Sequence, residues 1–451
     1  LTIQDILRKT YRKAGFHQTI AFAVFLTLLL LRLQVINTPS PSTAVENCIE
    51  PAGGSFPTEC GFVFDEAHYI PAVRKMLRGE AVNNEHPPLS KALIALSILA
   101  FGDNPLGWRF ASAVLSSAAV ALIPLIARHF TGRLELALAA TILTATDVMY
   151  FNIGSIAMLD GPAFFFLLVG TLLFLQKRHV TAAIFLGLAF LSKTATLFSV
   201  AGLLAYSFIQ SYSRKRKLVE AVYEWSPVFE KTTLIILAIA IAGLAVYDYT
   251  FKAFNTPFAH LDYILSYHSQ LKYSCKEFEL PLRCTVFEAD GRKTVIDLPL
   301  SWISPISPFA AAPYHIVTVT AGDRSWHPVA YWGIYSPVWW TTALVIVYAA
   351  YYVVVSRGRD DLQAFILLWI AFTYGPYFIL AHVLNRYVYT FYFLPTVPAI
   401  ALGLPSVLAG DKFSKAVLYG VVFVQIAWFF IYFPVKSDLH IQILETLNLP
   451  R

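Results

Sequence analysis

Asp65 and Glu66 with His68 close behind, and Glu85-His86-Pro87-Pro88 with Lys91 just after, are the residues of this chain best suited to do chemistry. In a polar loop, a carboxylate or imidazole can take a proton from a hydroxyl, and nearby lysines or arginines can hold an anionic leaving group. Further on, single ionisable residues interrupt apolar sequence: Arg109 in Gly107-Trp108-Arg109, Asp160 after Ala157-Met158-Leu159, Lys193 after Ser192, and Arg386 before Tyr387. Such residues at membrane depth are expensive and mark functional pathways. Each also has an ordinary use. Asp65 or Asp160 would serve as a helix N-cap, Lys193 as a lysine snorkelling to the interface, and His68 and His86 as structural histidines.

The elements that must position these residues are apolar helices. Hydrophobic residues make up 57% of the 451, charged residues 14%, and the apolar runs approach the roughly 20 residues needed to cross the hydrocarbon core. The expected class is an all-α polytopic membrane protein. Spans are expected at 18–36, 107–127, 134–151, 160–176, 180–192, 195–211, 231–250, 336–355, 362–383, 387–409 and 415–434, eleven in all. Residues 89–102 are apolar but short for a crossing, and are read as interfacial. Residues 1–16 are polar and basic, and the apolar run after them is too long for a cleavable signal peptide.

Charge then sets the orientation. The basic residues Arg8, Lys9, Arg12, Lys13, Arg128, Arg133, Lys177, Arg178, the run Arg214-Lys215-Arg216-Lys217, Lys231, Arg357, Arg359, Lys412 and Lys415 fall on one side. The short turns of the other side carry only Lys193 and Arg386. By the positive-inside rule the N-terminus, 1–17, is cytoplasmic and the tail, 435–451, is outside. The expected organisation is a transmembrane core over 18–250 with a catalytic first outer loop at 37–106, an extracytoplasmic loop at 251–335, and C-terminal spans over 336–434. Asp65, Glu66, His86, Lys91, Arg109, Asp160, Lys193 and Arg386 then gather at the outer face. The net charge of +6 sits in short clusters between spans and is read as topology, not nucleic-acid binding.

Within the first outer loop, Pro71 is expected in the first turn of a helix over 71–78. Ile70, Val73, Met76 and Leu77 would form its apolar side, opposite Arg74, Lys75 and Arg78. Pro87-Pro88 would start a second helix, from 89 to about 101. The four cysteines form two close pairs, Cys48/Cys60 and Cys275/Cys284, both in outer loops, where disulfides are the natural state. Zinc is the competing use, but the spacings are not of the short C-x-x-C type. Lys293-Thr294-Val295-Ile296 reads as a strand.

The order of these motifs resembles the dolichyl-phosphate-mannose protein O-mannosyltransferases of the C-type glycosyltransferase superfamily. The resemblance rests on Asp65-Glu66, His86-Pro87-Pro88-Leu89-x-Lys91, Gly102 with Gly107-Trp108-Arg109, Ala157-Met158-Leu159-Asp160, Gly187-Leu188-Ala189-x-x-Ser192-Lys193, and Arg386-Tyr387-x-Tyr389-x-x-Tyr392-x-x-Pro395. Two departures stand out. Ser155 lies where members often carry an arginine, and 251–335 is too short for the MIR domain of eukaryotic members, which implies a prokaryotic, archaeal form in the cell membrane.

The resemblance implies a fold of about eleven spans and transfer of mannose, with inversion, from a dolichyl or other polyprenyl phosphate to Ser/Thr hydroxyls of proteins outside the membrane. Asp65 would be the base. Glu66, His86 and Asp160 would hold acceptor or sugar, and Lys193, Arg386, Arg109 and Lys91 the donor phosphate. No metal constellation is apparent, and Asp360-Asp361 is cytoplasmic in this topology. One alternative keeps the donor but takes a lipid or glycan acceptor, as aminoarabinose transferases do. A remote one is a secondary transporter, which would carry mid-span charges in two matching halves. The sequence leaves the oligomeric state open.

Overall fold

A computed structural model describes residues 14–50, 56–275, 277–279, 282–287, 293–304, 314–319 and 329–448. Helices dominate, and every one of the apolar segments expected to span is helical over much of its length. Among the described residues, seven helices are long and apolar enough to cross a bilayer: Gly15–Val35, Pro105–Phe130, Leu218–Phe251, Pro337–Val355, Asp361–Val383, Thr390–Val407 and Lys412–Ile431. Their outward side chains are apolar, among them the exposed Phe22, Leu30, Val347, Phe413 and Phe423. A surface of that kind is stable against lipid and not against water. The protein is a multi-pass membrane protein.

The remaining expected spans differ from simple crossings. Residues 134–151 form two helices, Leu134–Ala145 and Val148–Ser155, bent by 58°. Asp147 makes the break. Its Oδ1 accepts from the Tyr150 amide at 2.8 Å and its Oδ2 from the Trp339 indole at 2.6 Å, so it caps a new helix in the middle of apolar sequence. Helices Asp160–Leu175 and His179–Ser192 are short, about 21–24 Å at the helical rise per residue. They pack against each other as a hairpin, with residues 160 and 193 at the same end. The seventh span is expected at 231–250, but its helix starts earlier, at Leu218.

The first outer loop contains two helices, Glu66–Leu77 and Leu89–Phe101. The second follows Pro87-Pro88 as expected. The first begins five residues before Pro71, which sits inside it. Of its polar side, Arg78 is exposed as expected, but Arg74 is not solvated. Arg74 is buried, pairs with Asp103 through two bonds of 2.9 and 3.1 Å, and donates to the Cys48 carbonyl. Next, Asn104 and Pro105 start helix Pro105–Ala121, with Asn104 accepting from Gly107 N at 3.2 Å. A Cβ on Gly107 would stand 1.9 Å from the Gly102 carbonyl oxygen, so this helix crossing requires glycine.

Both cysteine pairs are disulfides, Cys48–Cys60 and Cys275–Cys284. Cys284 lies on the middle strand of an antiparallel sheet ordered Glu277–Glu279, Arg283–Phe287, Lys293–Asp297, and the last strand contains the run read from sequence. Residues 251–335 also hold a helix that the loop reading omits, Pro257–Gln270. Thr256 caps it, accepting from Ala259 N at 3.1 Å, and Pro257 occupies its first turn.

Candidate active site

Asp65 occupies the N-cap position of Glu66–Leu77, yet its side chain caps none of the helix N–H groups. Phe64, just before it, is held at φ 54°. A bulky residue adopts that left-handed conformation at a cost of about 1–3 kcal/mol, and such strain gathers at functional sites. Edge-on packing of Phe64 against Phe391, with centroids 5.4 Å apart, holds it there. The half-buried Asp65 carboxyl faces His68, Lys193 and Asp160. Burial raises its pKa to about 6, partly offset by the cations and reinforced by Asp160.

Asp160 and Lys193 meet because their helices form a hairpin. Asp160 is the first residue of one, at the positive end of its dipole, and Lys193 is the C-cap of the next, at the negative end. Lys193 Nζ donates to Asp160 Oδ1 at 2.7 Å and lies 5.0 and 5.5 Å from the ring centroids of Phe391 and Tyr392. Asp160 Oδ2 is buried with no hydrogen-bond partner among the described residues. The turn before Asp160 is pinned by Ser90 and Ser112, whose hydroxyls donate to the Leu159 and Met158 carbonyls at 3.1 and 3.2 Å.

Arg386 follows Asn385, which is also left-handed at φ 50°, and pairs with Lys272 in an isolated antiparallel bridge. Its guanidinium donates to the His268 and Tyr387 carbonyls at 3.1 and 3.0 Å, meets His268 Nδ1 at 3.1 Å, and bonds the Tyr392 hydroxyl. Among the described residues it has no carboxylate partner. The His86 ring lies 5.4 Å from His268 and 5.9 Å from Tyr69. Burial, then His268 and the surrounding cations, hold His86 well below the usual histidine range, and burial with Arg386 lowers His268 to about 4. Both imidazoles are neutral near pH 7.

The other sequence-nominated residues are placed differently. Glu66 and Arg109 are fully buried and bound to each other through two contacts of 2.8 Å. Glu66 also accepts from the Val63 and Ala157 amides at 2.8 Å each, and Arg109 donates to the Ile36, Pro39 and Gly61 carbonyls. The expected contact of Glu66 with acceptor and of Arg109 with phosphate therefore gives way to a clamp joining the first span, the Asp65 loop and the turn before Asp160. Lys91 is likewise buried, donating to the Asn83 and His86 carbonyls, and burial lowers it to about 7. Through these two carbonyls it braces the His86 loop. Asp147 is spent on its helix cap.

Two residues absent from the sequence-based site support it. His260, fully buried, places Nδ1 2.7 Å from Asp248 Oδ1 and Nε2 2.9 Å from the Asn84 carbonyl oxygen. A carbonyl only accepts, so Nε2 carries the proton and the ring ties helix Pro257–Gln270 to the His86 loop. His268 lies on the same helix. The sequence signal for that helix was Thr256-Pro257, a cap followed by an N1 proline. Among the described residues, no three His, Cys, Asp or Glu side chains group as metal ligands.

Comparison with known proteins adds a relationship to this geometry. Residues 85–246 match the family model described as dolichyl-phosphate-mannose-protein mannosyltransferase. That stretch contains His86, Lys91, Arg109, Asp160 and Lys193, but neither Asp65 nor Arg386. The chain is 35% identical over 111 residues to a polyprenol-phosphate-mannose–protein mannosyltransferase of Mycobacterium tuberculosis, covering 23% of this chain and 21% of the relative. It is 36% identical over 112 residues to that of Mycolicibacterium smegmatis, covering 23% and 22%. The match thus spans about a fifth of the length of these curated relatives.

The fold is similar to that of the protein O-mannosyltransferase Pmt1-Pmt2 complex of S. cerevisiae bound to the sugar donor, with TM-score 0.56, 13% identity, and coverage of 95% of this chain and 91% of that one. It is also similar to ArnT from Cupriavidus metallidurans bound to undecaprenyl phosphate, with TM-score 0.51, 13% identity, and coverage of 96% and 73%. At such identities the likeness is one of fold. Residues 85–246 are thus similar to the dolichyl-phosphate-mannose-protein mannosyltransferase family, and the whole chain is similar in fold to a protein O-mannosyltransferase.

Proposed function

We propose that this protein transfers a mannosyl group, with inversion, from a polyprenyl phosphate to a Ser or Thr hydroxyl of a protein at the outer membrane face. The observation that carries the reading is the Asp65 carboxylate, uncapped and half-buried with a pKa raised to about 6, facing the Lys193–Asp160 pair. A base poised just below neutrality is ionised at pH 7 and still accepts a proton from a hydroxyl. The acceptor oxygen attacks the anomeric carbon as its proton passes to Asp65, and the bond from that carbon to the phosphate oxygen breaks. The departing polyprenyl phosphate keeps the bonding electrons, and Lys193 and Arg386 balance its charge.

Asp160 Oδ2, buried without a partner among the described residues, suits a sugar or acceptor hydroxyl. His86, neutral, would orient substrate. Glu66, Arg109 and Lys91 hold the scaffold and do not touch substrate in this reading. The name of the curated relatives supports the mannosyl donor and the protein acceptor. The N-terminus is assigned to the cytoplasm and the site to the outside by the basic-residue asymmetry. The sequence reading of an archaeal source goes with this proposal only as far as a prokaryotic membrane, since the curated relatives are bacterial.

A second reading keeps the donor but changes the acceptor to a lipid, favoured by the ArnT likeness in fold. Incubating the purified chain with labelled polyprenyl-phosphate mannose, a Ser/Thr peptide and a lipid extract separates the two. Label in the peptide, lost in Asp65→Asn, supports the first. Label in lipid alone supports the second.

A further inference from the structure

Beyond the last span the chain turns back as helix Asp438–Thr446, and between the two lies a cleft of about 530 Å³ that the site above does not use. Lys436 and His440 line its polar part; Phe430, Phe433, Leu439 and Ile443 line its apolar part. Gln34, at the end of the first span, closes one side, which puts the cleft at the same end of the bundle as the Asp65 loop.

Lys436 is 5% exposed, and its Nζ has no hydrogen-bond partner among the described residues. A buried ammonium without a counter-ion is costly and is retained where an anion completes it. Burial alone accounts for its lowered pKa of about 8, and no carboxylate opposes that shift. His440 is 9% exposed and its Nε2 is also unpartnered. The His440 ring bonds the Phe430 carbonyl, which requires a proton on that nitrogen. Burial and Lys436 keep the ring neutral, so Nε2 presents a lone pair and accepts from a hydroxyl. Ser437 caps the helix through His440 N at 3.2 Å, leaving the earlier amides at its positive end beside Lys436.

We propose that this cleft binds a membrane glycerophospholipid with an anionic phosphate and a hydroxyl-bearing headgroup. Lys436 pairs with the phosphate, His440 Nε2 accepts from the headgroup hydroxyl, and the acyl chain runs along Phe430 and Phe433 between the exposed lips Leu439 and Ile443. A free phosphate would satisfy Lys436 but leave those apolar lips in contact with water. The lining thus selects an amphiphile.

The test measures binding of short-chain phosphatidylglycerol, phosphatidylcholine and phosphatidic acid, and of inorganic phosphate, to the full chain purified in detergent. Phosphatidylglycerol is expected to bind at least tenfold more tightly than phosphatidylcholine of the same chain length. Lys436→Met is expected to abolish that preference and Lys436→Arg to keep it. Loss of an unpaired buried charge should leave the lipid-free unfolding temperature of Lys436→Met at or above the parent's. His440→Phe is expected to weaken phosphatidylglycerol binding but not phosphatidic acid binding. Equal binding of phosphatidylglycerol and phosphatidylcholine, an unchanged preference in Lys436→Met, or inorganic phosphate binding as tightly as phosphatidylglycerol overturns the proposal.

Discussion

Asp65 and Glu66 are adjacent carboxylates, and the fold gives them opposite surroundings. Glu66 is fully buried, and its two oxygens receive two guanidinium contacts and two backbone amides. Asp65 caps nothing and faces a cation that is already shared with Asp160. A carboxylate whose lone pairs are all filled by its own protein stabilises the fold and has nothing left for substrate. One left short of partners still has lone pairs to offer a substrate. The same contrast separates Arg109, saturated by Glu66 and three carbonyls, from Arg386, which has no carboxylate partner among the described residues.

That contrast can be broken by splitting activity from stability. Asp65→Asn is expected to reduce transfer about 10²–10⁴-fold with little change in thermal unfolding; a parallel loss of stability would merge the two classes. Glu66→Gln is expected to act the other way, destabilising by about 3–5 kcal/mol because Arg109 is left as a buried, unpaired charge. Denaturant or thermal unfolding in detergent measures it, and a stable but inactive Glu66→Gln would return Glu66 to the chemistry. Lys193→Met is expected to raise KM for the donor about 10–100-fold, the value of a charge-assisted contact; an unchanged KM would remove it as the phosphate ligand.

pH gives a finer distinction. In the proposed mechanism Asp65 works as the anion, and its pKa is raised to about 6. Protonation on going below pH 6 therefore removes the base, and kcat/KM is expected to fall about tenfold per pH unit there. A flat profile from pH 7 to 5 would exclude Asp65 as the titrating base. The smallest effect is expected at His260. Its replacement by alanine leaves Asp248 and the Asn84 carbonyl short of a partner, about 1–3 kcal/mol, and loosens the loop that carries His86. A kcat change with near-constant KM for the donor would mark it as positioning; loss of folding alone would make it structural.

Much of this was legible because it is local. Runs of apolar residues announce helices, Pro87-Pro88 and Asn104-Pro105 announce their starts, and the cysteines in each loop stand near enough to pair. The gathering of Asp65, Asp160, Lys193, His86 and Arg386 was legible through charge asymmetry, because one orientation places them all on the same side. The break at Asp147 was not legible, since one aspartate in apolar sequence reads as an interruption and not as a cap joined to Trp339 nearly two hundred residues away. Nor was helix Pro257–Gln270 with His260 and His268, whose polar sequence resembles a loop except for its cap.

The chain's own pattern announced its class, the position of most of its apolar helices, its disulfides and the gathering of its ionisable residues at one end, because each depends on periodicity, spacing or a charge count. The roles within that set depended on the fold. Whether a carboxylate is filled or left open depends on which amides and guanidinium groups distant segments bring to it. Glu66 meets Ala157 and Arg109, Asp160 meets Lys193 through a helix hairpin, and Lys436 meets no partner among the described residues. Those meetings are long-range packing outcomes, and no local window of sequence contains them.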